Sequence, residues 1–188
     1  MRSVLFILFA VLLLGGVTPA GAEVKAQSTS ASRQFIVYGA EVPLRGAMSD
    51  LAERTKAGLL QVLGQRDEWK TPLVINLDFP QANLPELVPA RFDFSQTGSG
   101  LKLQLNLLIT NDLQGAEVQR ELLRAILIEM IYRQRSDVAA GRRYAAPPDS
   151  LVYGLLPLAP ATDPDPAARL ARSQFRARRH PPVADKRS

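Results

Sequence analysis

The chain has 188 residues, which is room for one domain, and it contains no cysteine, so disulfide bonds are excluded. Its formal net charge is +5, but residues 23–158 hold equal numbers of basic and acidic side chains. The excess lies almost entirely in residues 159–188, so it does not support a nucleic-acid-binding domain. Since the only histidine is His180, in that same basic segment, nucleophilic catalysis by a Ser-His or Cys-His pair is also excluded.

The first 22 residues have the pattern of a signal peptide. Met1-Arg2 gives a short positive start, and an apolar run extends from Val4 to Leu14. Small residues follow, which predicts cleavage after Ala22 and export to the periplasm or the extracellular space. The alternative is a retained membrane anchor, although the apolar run is shorter than the roughly 20 residues that span a bilayer. Residues 23–32 are small and polar and are predicted to be a linker.

The predicted domain extends from residue 33 to 158. Its first half alternates strands with a helix. Residues 34–38 have the β-branched and aromatic content of a strand. Residues 44–63 repeat apolar side chains at three- and four-residue steps, which predicts an amphipathic helix capped by Gly64. Residues 73–77 are short and apolar and predict a central strand. Trp69, just before that strand, is interpreted as a packing anchor.

A hairpin is predicted in the middle of the chain. Prolines enforce a loop over residues 79–90. Residues 91–95 and 101–107 then alternate in polarity with a period of two, and a glycine-bearing loop over residues 96–100 joins them. This pattern predicts one buried and one half-solvated sheet face.

A second helix is predicted to be running by Glu117, and within residues 122–132 nine of eleven side chains are apolar. A helix of this kind is covered nearly all round. Residues 151–158 are expected to pack back onto the body, and residues 159–188 to be a disordered Pro/Arg-rich tail. The fold class is therefore predicted to be α+β, with a small, mostly antiparallel sheet packed on two main helices in the order β-α-β-β-β-α.

Glu129 is the one carboxylate in the middle of this apolar helix. A buried carboxylate costs several kcal/mol unless it is paired or protonated. One interpretation is that Glu129 faces the least covered side of the helix or pairs with an arginine such as Arg124, Arg133 or one from the loop that follows. The other is that its position is inherited from an enzyme.

The same helix resembles the zinc-binding helix of the gluzincin metallopeptidases, whose motif is His-Glu-x-x-His. Aligned on Glu129, both histidine positions are replaced, by Ile128 and Tyr132. The segment from Pro148 to Gly154 is similar to the one that supplies the third zinc ligand of the family, but Tyr153 stands in place of the glutamate. The resemblance implies a metallopeptidase-like N-terminal subdomain with a vestigial Glu129 and three degenerate ligand positions. It implies no bound metal or cofactor and no peptidase activity.

Three functional hypotheses follow. The first is an exported, non-catalytic domain with a binding or structural role in the cell envelope, able to take an extended peptide at a sheet edge. The alternative is an envelope-binding protein whose basic tail contacts an anionic surface. The tail arginines concerned are Arg169, Arg172, Arg176, Arg178 and Arg179. The third is a zinc-free hydrolase that uses Glu129 with another carboxylate.

Overall fold

A computed structural model describes residues 26–81, 88–97, 100–110, 113–133, 135 and 145–158. These residues form an α+β fold of five strands, three α-helices and a short 3-10 helix. The elements are β1 (Gln27–Thr29), β2 (Phe35–Gly39), α1 (Val42–Leu63), β3 (Leu73–Asp78), β4 (Ala90–Thr97), β5 (Gly100–Leu108), α2 (Gly115–Tyr132), α3 (Asp149–Leu155) and the 3-10 helix Leu156–Leu158. The predicted signal segment and the basic tail lie outside the described residues.

The five strands form one mixed sheet in the order β1-β2-β3-β5-β4. The central pairs β2–β3 and β3–β5 are parallel, and the outer pairs β1–β2 and β4–β5 are antiparallel. The prediction of a mostly antiparallel sheet is therefore wrong. The α1 crossover and the insertion of β5 between β3 and β4 make the central strands parallel, and a period-two pattern does not encode strand direction. Strand β1 also lies within the predicted linker, which thus contributes to the sheet.

One face of the sheet forms the core. Alternate residues of β2, β3 and β5 are fully buried on this face, where α1 and α2 cover them. The buried strand residues are Phe35, Val37, Leu73, Ile75, Leu77, Leu103, Leu105 and Leu107. Most side chains on the other face are only half-buried. The domain consequently has two layers, as the alternating patterns predict.

The connection from α1 to β3 combines a helix cap with an aromatic anchor. Gly64 ends α1 in the left-handed conformation, and its N–H donates to the carbonyl of Gln61, which confirms the predicted cap. The Trp69 ring packs on Phe35 with centroids 5.5 Å apart, and the indole N–H donates to the carbonyl of Thr71. Trp69 is thus a packing anchor, as interpreted from the sequence.

Helix α2 is buried on two sides. Its Leu122 and Ile128 belong to the cluster that packs on the sheet, whereas Leu123 and Ile126 pack in a second cluster with Val152 of α3. This double covering explains its apolar composition and confirms that residues 151–158 pack back on the body. Among the described residues, no helix is long and apolar enough to cross a membrane.

Candidate functional site

Glu129 lies in the last turn of α2, and its side chain is 0% exposed. Its Oε1 accepts hydrogen bonds from the backbone N–H groups of Lys70 at 2.9 Å and Thr71 at 3.3 Å. Its Oε2 lies 3.3 Å from Nε of Arg133 in an ion pair that makes no hydrogen bond. Arg133, one of the arginines expected as a partner, therefore pairs with it. The carboxylate ties α2 to the connection before β3.

The surroundings of Glu129 make its carboxylate easier to protonate than an exposed glutamate. Burial raises the pKa of Glu129 above its ordinary 4.5, and the nearby Asp67 carboxylate raises it further. The hydrogen bonds from Lys70 and Thr71, together with the Arg133 charge, oppose this shift only in part. Since the side chain is sealed from solvent, a raised pKa here accompanies a structural bond and not contact with a substrate.

Of the three degenerate ligand positions, Ile128 and Tyr132 share one face of α2, and Tyr153 has different surroundings. Ile128 is fully buried in the sheet-facing core, and Tyr132, at the end of α2, exchanges hydrogen bonds with the backbone of Ala145. Tyr153 is 55% exposed, and its hydroxyl lies 3.4 Å from Nη1 of Arg120. Arg120 precedes Tyr132 by 12 residues on the same helix, a separation of about 18 Å at 1.5 Å per residue. Tyr153 therefore contacts the N-terminal half of α2, whereas Ile128 and Tyr132 lie toward its C-terminal end.

The remaining charges beside α2 hold α3 in place. Arg124, another arginine expected near Glu129, instead pairs with Glu121 at 2.8 Å and with Asp149 of α3 at 2.6 Å. Within the part of the chain that the structure describes, no group of three or more His, Cys, Asp or Glu side chains could hold a metal ion. Arg124 thus links Glu121 of α2 to Asp149 of α3.

Strand β4 lies at one edge of the sheet and presents backbone groups outward. Within the described ranges, β5 is the only strand that pairs with β4. The N–H of Leu108 donates to the carbonyl of Pro89 at 2.8 Å, and the antiparallel register continues along β4 without a bulge. Because bonded and non-bonded pairs alternate in such a ladder, the odd-numbered residues of β4 bond to β5. The N–H and C=O groups of Ala90 and Phe92 therefore point toward the outer edge.

The side chains of β4 give this edge two different flanks. Phe92 and Phe94 lie on the helix side, half-buried, with their rings stacked at 5.7 Å and an interplanar angle of 16°. Arg91 and Asp93 lie on the opposite side, where their side chains are 67% and 41% exposed and form an ion pair at 2.8 Å. An added strand would meet aromatic rings on one side and charges on the other.

A ladder of polar side chains runs from β4 across the half-exposed face. Asp93 Oδ2 accepts from Nδ2 of Asn106 at 3.1 Å, and Asn106 Oδ1 accepts from Nδ2 of Asn76 at 2.7 Å and from Nε2 of Gln104 at 2.9 Å. Asp93 also accepts from Arg91. The ladder orients the Asp93 carboxylate, because one of its oxygens accepts from Asn106 and the other from Arg91.

A cleft of about 450 Å³ adjoins the start of β4 and the carboxyl ends of β3 and β5. Its lining is Asp78, Val88, Arg91, Asp93, Asn106, Leu107 and Leu108. Crevices at the carboxyl ends of parallel strands are common ligand sites in open α/β sheets. The cleft and the edge of β4 share Arg91 and Asp93, so they form one continuous candidate surface.

Searches against protein-family models, curated proteins and solved structures find no match. The gluzincin resemblance therefore stays a prediction. The tail arginines lie outside the described residues, so the tail hypothesis also stays a prediction. The sequence-based candidates did not include Arg91, Phe92, Asp93 or Phe94. Their alternating pattern predicted a strand, but its position at the edge depends on the order of the whole sheet.

Proposed function

We propose that this chain is an exported, non-catalytic binding domain that adds an extended segment of another polypeptide to the edge of β4. The observation that carries the proposal is the outward direction of the backbone groups of Ala90 and Phe92, beside which the described residues provide no neighbouring strand. Sheet edges of this kind are templates for strand pairing. Main-chain hydrogen bonds then supply affinity, and the flanking side chains supply specificity.

The flanks of β4 suit an extended ligand whose side chains alternate in character. Residues of such a ligand that point to the helix side would contact Phe92 and Phe94, which are only half-buried. Residues on the other side would contact Arg91 and Asp93 and reach toward the adjoining cleft. Because the Asp93 carboxylate is already oriented by Asn106, this side chain needs little further ordering when a ligand binds.

The non-catalytic part of the proposal is supported by the surroundings of Glu129. Its carboxylate is sealed from solvent and engaged by Lys70, Thr71 and Arg133. A general acid or base must reach the proton that it transfers, directly or through one water. The predicted gluzincin resemblance is compatible with the same kind of ligand, since enzymes of that family take extended peptides at a sheet edge. Export follows from the predicted signal peptide.

Substitution of Phe92 tests the proposal because its N–H faces the outer edge. F92P removes this N–H and the ring without removing a bond to β5, whereas the matched control F92A removes the ring alone. Peptides of random sequence, displayed on phage, are selected on the wild-type protein and then measured against both variants. We expect F92A to weaken binding and F92P to abolish it. Equal binding by F92P and F92A would overturn strand addition at β4.

A further inference from the structure

We infer that the extended segment is β4 of a second copy of this chain, paired antiparallel about a two-fold axis at Phe92. This inference rests on the proposed function, because it names the partner of the same edge. A two-fold interface uses one surface patch on both subunits, so the patch must be complementary to itself. The five residues from Ala90 to Phe94 meet that condition in a single register.

Backbone geometry supports the register centred on Phe92. Residues whose backbone groups face outward must oppose one another, and in β4 the even-numbered residues have this orientation. With Phe92 on the axis, it opposes Phe92 of the second copy, and this pair exchanges two hydrogen bonds. The two sheets then join into one, with the helices of both copies on the same face.

Side-chain complementarity supports the same register. Arg91 lies opposite Asp93 of the second copy, and Asp93 lies opposite Arg91 of the second copy. These are non-hydrogen-bonded positions, where facing side chains come closest. Both side chains are accessible, at 67% and 41% exposure. On the helix side, the small Ala90 faces the large Phe94 of the second copy, so large and small side chains alternate across the interface.

Neighbouring registers lack this complementarity. Shifting the axis by one residue to Arg91 or Asp93 places two arginines or two aspartates directly opposite each other, which is unfavourable. Shifting it to Phe94 places Asp93 opposite Ser95 and leaves Arg91 without an acidic partner on the facing strand. The charge pattern therefore selects one alignment and excludes slipped ones.

Charge-reversal variants test the inference. Sedimentation velocity of each purified protein over a range of concentrations measures its monomer–dimer equilibrium. We expect a monomer–dimer equilibrium for the wild type. R91E and D93R each place like charges opposite each other, so we expect each variant to weaken the dimer roughly tenfold or more. F92P, which lacks an edge N–H, should be monomeric. Circular dichroism on each variant confirms that the monomer remains folded.

An equimolar mixture of R91E and D93R gives the decisive result. The glutamate introduced by R91E then faces the arginine introduced by D93R, and the unchanged Asp93 of the first variant faces the unchanged Arg91 of the second. We expect the mixture to recover wild-type affinity as a heterodimer. The double variant R91E/D93R would also recover it, but that variant restores the pair within one strand as well. Only the mixture separates pairing between strands from pairing within one strand.

Three outcomes would overturn the inference: a wild-type monomer at every concentration, a dimer indifferent to both reversals, or a mixture that stays as weak as its components. None of them removes the proposed function if phage-displayed peptides still bind the wild type and F92A but not F92P. Conversely, if peptides bind F92P as well as they bind F92A, strand addition at β4 is excluded, and the dimer inference is excluded with it.

Discussion

Replacement of Glu129 should separate two properties of its carboxylate, the hydrogen bonds that it accepts and the charge that it carries. E129A removes both. E129Q keeps an oxygen at the position of Oε1, which accepts from the N–H groups of Lys70 and Thr71. It loses only the ion pair with Arg133, whose atoms are 3.3 Å apart and make no hydrogen bond.

The two variants should differ clearly in their free energy of unfolding. In E129A the N–H groups of Lys70 and Thr71 lose their acceptor, at about 1 kcal/mol each after partial hydration. The Arg133 side chain, 8% exposed, also loses its counter-charge, so the total cost should reach about 3 kcal/mol. In E129Q the loss of the ion pair is partly offset, because the neutral glutamine avoids the cost of burying a negative charge. We expect that variant to lose about 1 kcal/mol.

The pH dependence of the free energy of unfolding gives an independent check on the environment of Glu129. Since the pKa of Glu129 in the folded state is raised above 4.5, the folded protein binds this proton more tightly than the unfolded chain. The stabilisation that comes from this tighter proton binding is therefore fully present below pH 4.5 and is lost as the pH rises through the raised pKa. The advantage of the wild type over E129Q should accordingly be larger at about pH 4 than at about pH 7.

Urea unfolding followed by the fluorescence of Trp69 measures these differences. Trp69 is the only tryptophan and adjoins Lys70, so its signal reports on the connection that Glu129 holds. Other carboxylates titrate in both proteins, so most of their effect cancels in the difference. Equal destabilisation by E129Q and E129A would refute the role of the two backbone bonds. A wild-type advantage that grows with rising pH would refute the assigned direction of the pKa shift.

Two further predictions concern the frame around this connection. An alanine in the left-handed conformation costs roughly 1–2 kcal/mol, and G64A should cost only that amount because its Cβ meets nothing within 4 Å. G39A should cost more, because its Cβ would lie 2.2 Å from the Leu77 carbonyl oxygen. Equal decreases in melting temperature for the two variants would contradict this. Burial alone would raise the pKa of Asp67, but hydrogen bonds from Lys56 and Gln34 lower it below 3.8, so this stabilisation is present above pH 3.8 and lost as pH falls. K56M should therefore be less stable than the wild type near pH 7, and this difference should shrink as the pH falls below 3.8; a difference that does not change with pH would exclude the contact.

The candidate site could be predicted from the sequence only in part. The alternation in residues 91–95 predicted a strand with aromatic and charged faces, and the structure confirms both faces. Its location at an edge could not be read from the same pattern, because that location depends on β5 entering between β3 and β4. Glu129 was recognised as anomalous in an apolar helix. Its partners Lys70 and Thr71 are 59 and 58 residues away along the chain, so no local pattern could identify them.

Local patterns in the sequence determined the elements and their buried faces. Helix α1 was expected over residues 44–63 and spans Val42–Leu63, and the hairpin strands extend the expected runs by only one or two residues at each end. These features follow from side-chain periodicity, which records the side on which each residue is buried. Only the tertiary structure decided the parallel direction of the central strands, the contact of Tyr153 with Arg120, and the position of β4 at the edge of the sheet. Each depends on which distant segments become neighbours, and periodicity carries no information about neighbours.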